Sequence, residues 1–421
     1  MIFKGEAMYK EEEHEWSRQF SENVSGEIKP SLGTGAAGVP IFGIDLGSRK
    51  IRAVAGYMNG NERAEIVGLT EVNSEGITRG IITGMEEAAD AIRLAVDELS
   101  MFFSNEIKDV FVSLSGQHLK RFTLSRSFLR NDAKQPVTRE EVSAFICQTR
   151  QQIELPPGER VVHLYPQEFF IDDRGGIAAP EGLMAKEIEA EFQIVTGQIT
   201  QVQSVINCLG KAGLNVIGFI PAYMASAEAV LSDTEKKEGV ALLDIGSSAT
   251  HVVIYHEGQL RYSALIPFGS SSITEDIKDG FFIIRKEAEL LKIKSGSALA
   301  EEVKGNEIAT IRLKGEAKEV SLKNLAHIIQ ARMEEILDMA MLEIKNSGFE
   351  KELGNGIVLT GGGAQLKHLV QLVNKHLGMQ TRMGYPVERL ACGIDLETRN
   401  PMNAACVGLI LKGYEFLKFG F

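Results

Sequence analysis

A segment that occurs twice in the chain limits the possible folds more than any other feature. Residues 41–60, IFGIDLGSRKIRAVAGYMNG, and residues 240–259, VALLDIGSSATHVVIYHEGQ, each read as an apolar strand, an Asp-x-Gly-Ser turn and a second β-branched strand. The two aspartates, Asp45 and Asp244, are 199 residues apart. That separation predicts two related lobes rather than a solenoid, with chance similarity as the alternative.

The repeated turn has the chemistry of a phosphate-binding loop. A tight turn between two strands presents successive backbone N–H groups, and glycine lets these amides approach a phosphate without a Cβ in the way. Two such turns facing each other predict a clamp for a triphosphate. Asp45 and Asp244 would then hold Mg²⁺ through water, because this hard cation prefers oxygen ligands and keeps its hydration. An isolated copy of the turn would be a plain hairpin with a capping aspartate.

A third glycine-rich element follows near the end of the chain, in the segment GIVLTGGGAQLKHLVQLVNKHLG. It predicts a strand at 357–359 and an amphipathic helix from about Gln365 to His376. The glycine run between them is Gly361, Gly362 and Gly363. A helix N-terminus after a glycine turn favours an anion or a ribose against the backbone, although many doubly wound folds share this pattern.

Length and composition narrow the class of protein. A chain of 421 residues predicts two or more domains, and short apolar runs alternating with amphipathic segments predict α/β layers. The net charge of −12 argues against nucleic acid as a partner, because nucleic acid is itself anionic. The cysteines lie far apart, which predicts neither a zinc site nor a disulfide framework and fits a reducing cytoplasm. They are Cys147, Cys208, Cys392 and Cys406.

The two ends of the chain differ from the rest. Residues 1–39 contain a run of glutamates and a glycine-rich stretch, which predicts a flexible extension, with docking through Trp16 as the alternative. The segment opens with no signal peptide pattern. The longest uncharged stretch, between Lys211 and Glu228, is too short and too interrupted to span a bilayer.

Three motifs, in chain order, carry a resemblance to a known superfamily. IDLGSRKI, LLDIGSSATHVVIY and VLTGGGAQL resemble the phosphate-1, phosphate-2 and adenosine motifs of the actin, Hsp70 and sugar-kinase proteins. Further segments, among them ITRGIITGMEEAADAI, DVFVSLSGQHLK and AELLKIKSGSAL, are similar to the FtsA family of bacterial cell-division proteins, particularly its Bacteroidetes-type members. The most specific block is 161–198, which resembles the domain that FtsA has and actin lacks.

The resemblance implies a fold and an organisation into domains. The fold would be an α/β, two-lobed actin-like ATPase fold with a duplicated RNase H-like core and an inserted α+β domain. The expected parts are a flexible extension at 1–39, a first lobe at 40–116, 215–236 and 389–421, an inserted domain at 117–214, a second lobe at 237–270 and 354–388, and a small subdomain at 271–353.

The resemblance also implies a function. The family binds ATP and Mg²⁺ between its lobes, polymerises, and links the FtsZ C-terminal tail and other division proteins to the inner membrane. The expected location is therefore the cytoplasmic face of that membrane, at the Z-ring and septum. Any ATPase activity would at most be slow, and a catalytic residue cannot be assigned from the sequence.

Carried over position by position, the family pattern assigns the binding residues. Phosphate contacts fall on Gly47, Ser48, Lys50, Gly246, Ser247 and Ser248, and the glycines at 361–363 complete the pocket. Glu289 and Lys292 match the nucleoside-side pair, with an ordinary surface salt bridge as the alternative. The partner surface for an FtsZ tail is expected in the small subdomain, on a cationic face with Arg285, Lys286, Lys292 and Lys294, with an ordinary solvated helix face as the alternative.

The chain departs from the family pattern at two places. Ser247, Ser248 and Ala249 replace the usual Gly-Gly-Thr of the second phosphate loop. Side chains restrict positive φ and crowd phosphates, with donation from their hydroxyls to the phosphates as the alternative, so we expect weak ATP binding with slow hydrolysis or none. The family usually ends in a basic amphipathic membrane helix, whereas this sequence ends in GYEFLKFGF with too little basic charge for firm anchoring. Either the anchor lies outside this sequence or the protein lacks one.

Two other functions use the same motifs. A small-molecule kinase of the superfamily would share both phosphate loops, but it would also need a positioned carboxylate base near the γ-phosphate. A pilus-assembly relative would share the fold and the inserted domain. An Hsp70-like chaperone is disfavoured, because no β-rich substrate domain follows the last motif.

Overall fold

The computed structural model describes residues 38–103, 106–177, 179–313, 316–391 and 397–419. Most of the predicted N-terminal extension, with Trp16, lies outside the described residues, as does Cys392. The strands are β1 Ile41–Leu46, β2 Lys50–Met58, β3 Ala64–Asn73, β4 Ile77–Thr78, β5 Ile81–Ile82, β6 Asp109–Leu114, β7 Leu119–Leu129, β8 Glu159–Ile171, β9 Arg174–Ile177, β10 Glu187–Gln198, β11 Asn215–Pro221, β12 Val240–Ile245, β13 Thr250–His256, β14 Gln259–Ile266, β15 Ile308–Leu313, β16 Glu316–Ser321, β17 Ile357–Thr360 and β18 Thr381–Met383. The α-helices are α1 Met85–Ser100, α2 Arg139–Gln151, α3 Ile199–Lys211, α4 Ala222–Val230, α5 Asp233–Glu238, α6 Ser270–Phe281, α7 Arg285–Ser295, α8 Leu322–Asn346, α9 Leu369–Leu377 and α10 Ala404–Phe419.

Two five-stranded sheets have the same topology. The first has the order β11-β6-β1-β2-β3, and the second has the order β14-β13-β12-β17-β18. In each sheet three consecutive strands form an antiparallel meander, a later strand pairs in parallel with the first of them, and the outermost strand pairs in parallel with that later strand. The predicted fold class, a duplicated core in an actin-like two-lobed fold, is confirmed.

The repeated hairpins have the same register. Asp45 on β1 faces Arg52 on β2, and Asp244 on β12 faces His251 on β13. A Cβ at Gly47 would lie 2.5 Å from the carbonyl oxygen of Lys50, so the first turn requires glycine. Each aspartate therefore stands near the end of a largely buried strand, beside a tight loop.

A third sheet is inserted between β6 and β11, with the order β7-β10-β8-β9. Helix α2 packs on it, and the core between them includes Phe145, Phe192 and Ile188. The helix begins with a capping box, in which Thr138 and Glu141 satisfy each other's backbone N–H groups. Helix α3 follows the last strand and packs into the core of the first lobe instead.

Three further helices and a hairpin pack with the second sheet. Helices α6, α7 and α8 share one continuous core with the second sheet, and the β15-β16 hairpin packs beside them. The helix predicted to begin near Gln365 begins at Leu369, after a 3-10 turn at Gly362–Gln365. His368 has φ of 61°, a left-handed conformation that the interior of a helix does not accept.

The C-terminal helix α10 packs inside the first lobe. Phe416 is buried, and its ring lies 5.4 Å from that of Phe111 in an edge-to-face contact. Lys412 is also buried, whereas Lys418 pairs with Glu62 at 3.0 Å. Within the described part of the chain, no helix has both the length and the apolar character needed to cross a bilayer.

Candidate functional site

A cavity of about 620 Å³ lies between the two five-stranded sheets. The structure brings every residue that the sequence assigned to nucleotide binding to the wall of this one cavity. They are Asp45, Gly47, Ser48, Lys50, Asp244, Gly246, Ser247, Ser248, Glu289, Lys292, Gly361, Gly362 and Gly363. The two phosphate-type loops and the glycine run thus enclose a common space.

On the first-lobe side, the Asp45 carboxylate is held by two neighbours. Ser113 Oγ on β6 donates to Asp45 Oδ1 at 2.5 Å. Arg52 Nη1 lies 3.9 Å from Asp45 Oδ2, while Arg52 Nη2 donates to Glu71 Oε2 at 2.6 Å. Lys50 Nζ pairs with the other oxygen of Glu71 at 2.8 Å. Asp45 therefore stands beside a cation that is largely buried.

On the second-lobe side, the Asp244 carboxylate has a hydroxyl neighbour instead. Ser226 Oγ on α4 donates to Asp244 Oδ2 at 2.7 Å. Burial raises the pKa of Asp244 to about 6, and the charge of Asp45 adds to the rise while the Ser226 hydrogen bond opposes it. His251, which faces Asp244 across the hairpin, has its pKa lowered to about 4 by burial. A neutral imidazole cannot compensate the Asp244 charge.

The two loops touch each other across the cavity. Ser48 Oγ and Ser248 Oγ are 2.9 Å apart, within hydrogen-bonding distance. Neither Ser247 nor Ser248 is among the described residues that adopt positive φ. Both serines are therefore accommodated without a left-handed backbone, the Ser48–Ser248 hydroxyl contact joins the two loops, and weak ATP binding stays a prediction.

Helix α7 forms the third wall. Glu289 pairs with Arg49 of the first loop, and Lys292 Nζ lies 3.0 Å from Glu289 Oε2. Lys292 also donates to the Ser270 carbonyl oxygen and to Thr274 Oγ1, both at 2.8 Å. Burial, with Arg49 and Arg285 nearby, lowers the pKa of Lys292 to about 7. The Glu289–Lys292 pair thus belongs to the cavity rather than to the surface.

This burial corrects one part of the cationic face expected on the small subdomain. Lys292 is only 6% exposed, so it cannot contact a partner there. Arg285, Lys286 and Lys294 are exposed on the same helix. The surface that remains has three cations.

Two glycines of the run lie too close to neighbouring atoms to carry a side chain. Gly361 has φ of 86°, and a Cβ there would lie 2.5 Å from Asp244 Oδ1. A Cβ at Gly363 would lie 2.5 Å from the Ile245 side chain, whereas one at Gly362 would meet nothing within 4 Å. The run therefore passes close to the second aspartate and leaves open space beside Gly362.

Sequence comparison places the chain among known proteins. The family described as "Cell division protein FtsA" matches residues 241–408, and "SHS2 domain inserted in FTSA" matches residues 116–196. The cell division protein FtsA of Pseudomonas aeruginosa is 30% identical over 382 residues, covering 90% of each chain. The chain belongs to the FtsA family. The FtsA of Escherichia coli is 28% identical over 384 residues, covering 89% of this chain and 90% of that one.

Solved structures agree on the fold. A chain of the "PilM-PilN type IV pilus biogenesis complex" has a TM-score of 0.61 at 17% identity, covering 89% of this chain and 99% of that one. MreB5 of Spiroplasma citri, in a structure bound to AMPPNP, has a TM-score of 0.55 at 14% identity, covering 91% and 99%. At these identities the likeness concerns the architecture alone.

Several cavity residues were not predicted from the sequence. Arg49, Arg52, Glu71 and His251 all line the same space. Arg52 and His251 each follow their aspartate by seven residues. The repeat itself held the signal that could have found them, since the strand register places both opposite an aspartate.

Proposed function

We propose that this member of the FtsA family binds ATP between its lobes and acts in cell division by assembling with itself and with partners. The observation that supports it best is the meeting of three motifs around one cavity of about 620 Å³, a volume in the usual range for small-molecule sites. The MreB5 structures, described as bound to ADP and to AMPPNP, agree with nucleotide in a fold of this kind.

The donor set suits magnesium rather than a metal held by protein alone. Among the described residues, no group of three or more His, Cys, Asp or Glu side chains is arranged to hold a metal ion. Mg²⁺ is commonly bound through one or two carboxylates, waters and substrate phosphates. Asp45 and Asp244 are the carboxylates that would hold it. Such an ion would neutralise part of the triphosphate charge.

The remaining residues would bind and orient the nucleotide. Ser48 would donate its hydroxyl to a phosphate oxygen after giving up its contact with Ser248, and the second loop at Ser247 and Ser248 would offer backbone N–H groups. The backbone at Gly361–Gly363 would accept a close approach of the nucleoside, because no Cβ is present. Glu289 and Lys292 would line the nucleoside side of the cavity.

We propose slow turnover or none. A general base near the terminal phosphate would have to be an available carboxylate. Glu71 is paired with Lys50 and Arg52, and Glu289 is paired with Arg49 and Lys292. Both glutamates of the cavity wall are thus committed to cations, and the two aspartates of the wall, Asp45 and Asp244, are the proposed Mg²⁺ carboxylates.

Calorimetry with purified protein tests nucleotide binding. We expect ATP to bind in the presence of Mg²⁺ and to bind more weakly when EDTA replaces it. The control is the Glu87→Gln variant, altered on α1 outside the cavity wall. Absence of any heat of binding at millimolar ATP, with the variant and the wild type alike, would contradict the proposal.

The small subdomain offers a surface for an FtsZ tail. Phe282, Ile284 and Ile293 are 89%, 59% and 61% exposed, and they lie beside the exposed cations at 285, 286 and 294. Phe282 also has φ of 53°, a conformation that costs energy for a bulky side chain. Exposed apolar side chains rimmed by charge are typical of protein-binding surfaces. A tail with acidic and apolar residues would complement this surface.

Charge reversal tests the tail site. Arg285→Glu with Lys286→Glu should weaken tail-peptide binding and flatten its salt dependence, because opposite charges steer association. ATP binding should change far less than peptide binding, because burial and not the charge of Arg285 is the main cause of the lowered pKa of Lys292. The matched control reverses two exposed lysines elsewhere in the subdomain, Lys304 and Lys345. If the two double variants bind the tail peptide with equal affinity, the partner site does not lie on this surface.

Membrane association and polymerisation complete the proposal. Family membership supports both, and the location we propose is the division septum, on the cytoplasmic face of the inner membrane. Because the apolar residues of α10 are used in the core of the first lobe, we do not assign the anchor to this helix. Co-sedimentation with anionic vesicles, with and without ATP, measures both properties, and pelleting of protein in neither condition would contradict them.

A further inference from the structure

The inserted domain, defined here as residues 116–196, contacts the second lobe directly. Its target is the β13–β14 turn, defined as residues 256–261, and two of its strands take part. Arg121 Nη2 on β7 donates to the Arg261 carbonyl oxygen at 3.1 Å, and Gln167 Nε2 on β8 donates to the Leu260 carbonyl oxygen at 3.1 Å. Gln259 Nε2 of the turn donates to Glu168 Oε2 at 2.5 Å.

These contacts are partly shielded from water. Leu260 is buried, and its side chain packs in one core with Val195 of the inserted domain. Arg121 also donates to Gln193 Oε1 at 3.0 Å, and Gln193 is 1% exposed. Burial lowers the pKa of the Arg121 guanidinium, although the group stays charged. Hydrogen bonds to a charged donor in such a place are among the stronger ones.

The inserted domain is held by the first lobe as well. The ammonium of Lys412 on α10 lies 4.7 Å from the centre of the Tyr165 ring, a cation–π contact. His163 Nδ1 is 3.2 Å from the Phe219 carbonyl oxygen on β11. The domain therefore bridges the two lobes.

The turn is connected to the cavity by a short rigid path. Strand β13 begins at Thr250, directly after the second phosphate loop, and ends at His256. Seven residues of extended strand span about 20 Å. From the same turn, β14 leads to Ser270, whose carbonyl oxygen accepts a hydrogen bond from Lys292 in the cavity wall. A strand paired on both edges transmits a displacement at one end to the other.

We propose that the inserted domain is a strap between the lobes, so that the cavity opens only when the domain releases or follows the β13–β14 turn. Release of nucleotide would then be coupled to the orientation of the inserted domain. The coupling to nucleotide rests on the proposed function. The strap itself rests on the contacts of Arg121, Gln167 and Gln259.

The test compares two variants with a matched control. Arg121→Ala removes the main contact, and Gln167→Ala is a milder change that keeps the strap testable if the first variant folds poorly. Arg126→Ala is the control, because Arg126 lies on the same strand, is partly exposed, and donates from its Nη1 to the carbonyl oxygen of the neighbouring Ser125. We measure amide hydrogen exchange in 256–261 and the release rate of a fluorescent ATP analogue.

Arg121→Ala should speed both exchange in the turn and analogue release by about tenfold, and Gln167→Ala by about threefold. The control should match the wild type. Unchanged exchange in both test variants would overturn the strap. Faster exchange with unchanged release would overturn the coupling. If the wild type binds no analogue, the proposed nucleotide function fails, and the exchange measurement still decides whether the strap exists.

Discussion

The two repeated hairpins have one topology and different electrostatics. Asp45 and Asp244 occupy the same place on their strands, and each receives a serine hydrogen bond. Opposite Asp45 lies Arg52, a permanent cation. Opposite Asp244 lies His251, which burial keeps neutral near pH 7. A duplicated backbone has thus produced one carboxylate with a cation beside it and one without.

The difference shows which lobe needs a cation from outside. Arg52 compensates Asp45 within the protein, whereas burial raises the pKa of Asp244 to about 6. A buried carboxylate without a cationic partner is costly to ionise. We therefore expect the second lobe to gain more from a bound Mg²⁺ than the first.

The largest effect should come from exchanging the facing residue of the first lobe. Arg52→His leaves Glu71 and Asp45 without their buried cation, and breaking such a network should lower the free energy of unfolding by about 3 kcal/mol. Urea unfolding measures it. Arg174→His, at an exposed position on β9, is the control and should change the value by less than about 0.5 kcal/mol. Equal values for both variants would mean that Arg52 is not what stabilises the first hairpin.

The aspartates themselves should differ in their effect on magnesium-dependent binding. Asp244→Asn should weaken Mg-ATP affinity by about a hundredfold and Asp45→Asn by about tenfold, within the range for losing a group that orients a metal. The difference follows because Arg52 already shares the charge of Asp45. Calorimetry with and without Mg²⁺ measures it, with Asp90→Asn on the exposed face of α1 as the control. A larger loss in Asp45→Asn would reverse the assignment of the lobes.

The raised pKa of Asp244 predicts a pH dependence. Its value rises from about 4 in the unfolded chain to about 6 in the folded protein. The folded state therefore binds the proton more tightly, and this group's contribution to stability is lost as the pH rises from about 4 to about 6. Mg-ATP affinity should instead decrease as the pH is lowered below about 6. A protonated carboxyl group does not attract the Mg²⁺ ion.

The comparison between the hairpins sharpens this test. His251→Arg would place a cation opposite Asp244, as Arg52 stands opposite Asp45, and should shift the midpoint of the affinity profile below pH 6. Calorimetric titrations of Mg-ATP between pH 5 and pH 8 measure the midpoint. A profile that is the same in the variant and the wild type would show that Asp244 is not the titrating group.

The sequence predicted the parts of this fold that depend on local pattern. The repeat at Asp45 and Asp244 indicated the duplicated core. Strand periodicity and glycine turns depend on residues that are close in sequence, so they can be recognised without the structure. It did not indicate that Lys292 is buried, since burial depends on how α7 packs against α6 and the first loop. The ion pair between Arg49 and Glu289 could not be predicted either. The two residues are 240 positions apart and meet only in the folded chain.

The smallest effect concerns the contact between the two loops. Ser248→Gly removes the hydroxyl that lies 2.9 Å from Ser48 Oγ, so Ser48 no longer has to give up that bond before donating to a phosphate. One neutral hydrogen bond is worth about 1 kcal/mol, which predicts about fivefold tighter ATP binding in calorimetry. Ser247→Gly is the matched control, because it adds a glycine to the same loop and keeps the Ser48–Ser248 contact. If the two variants bind ATP equally well, backbone freedom and not the hydroxyl contact limits the affinity.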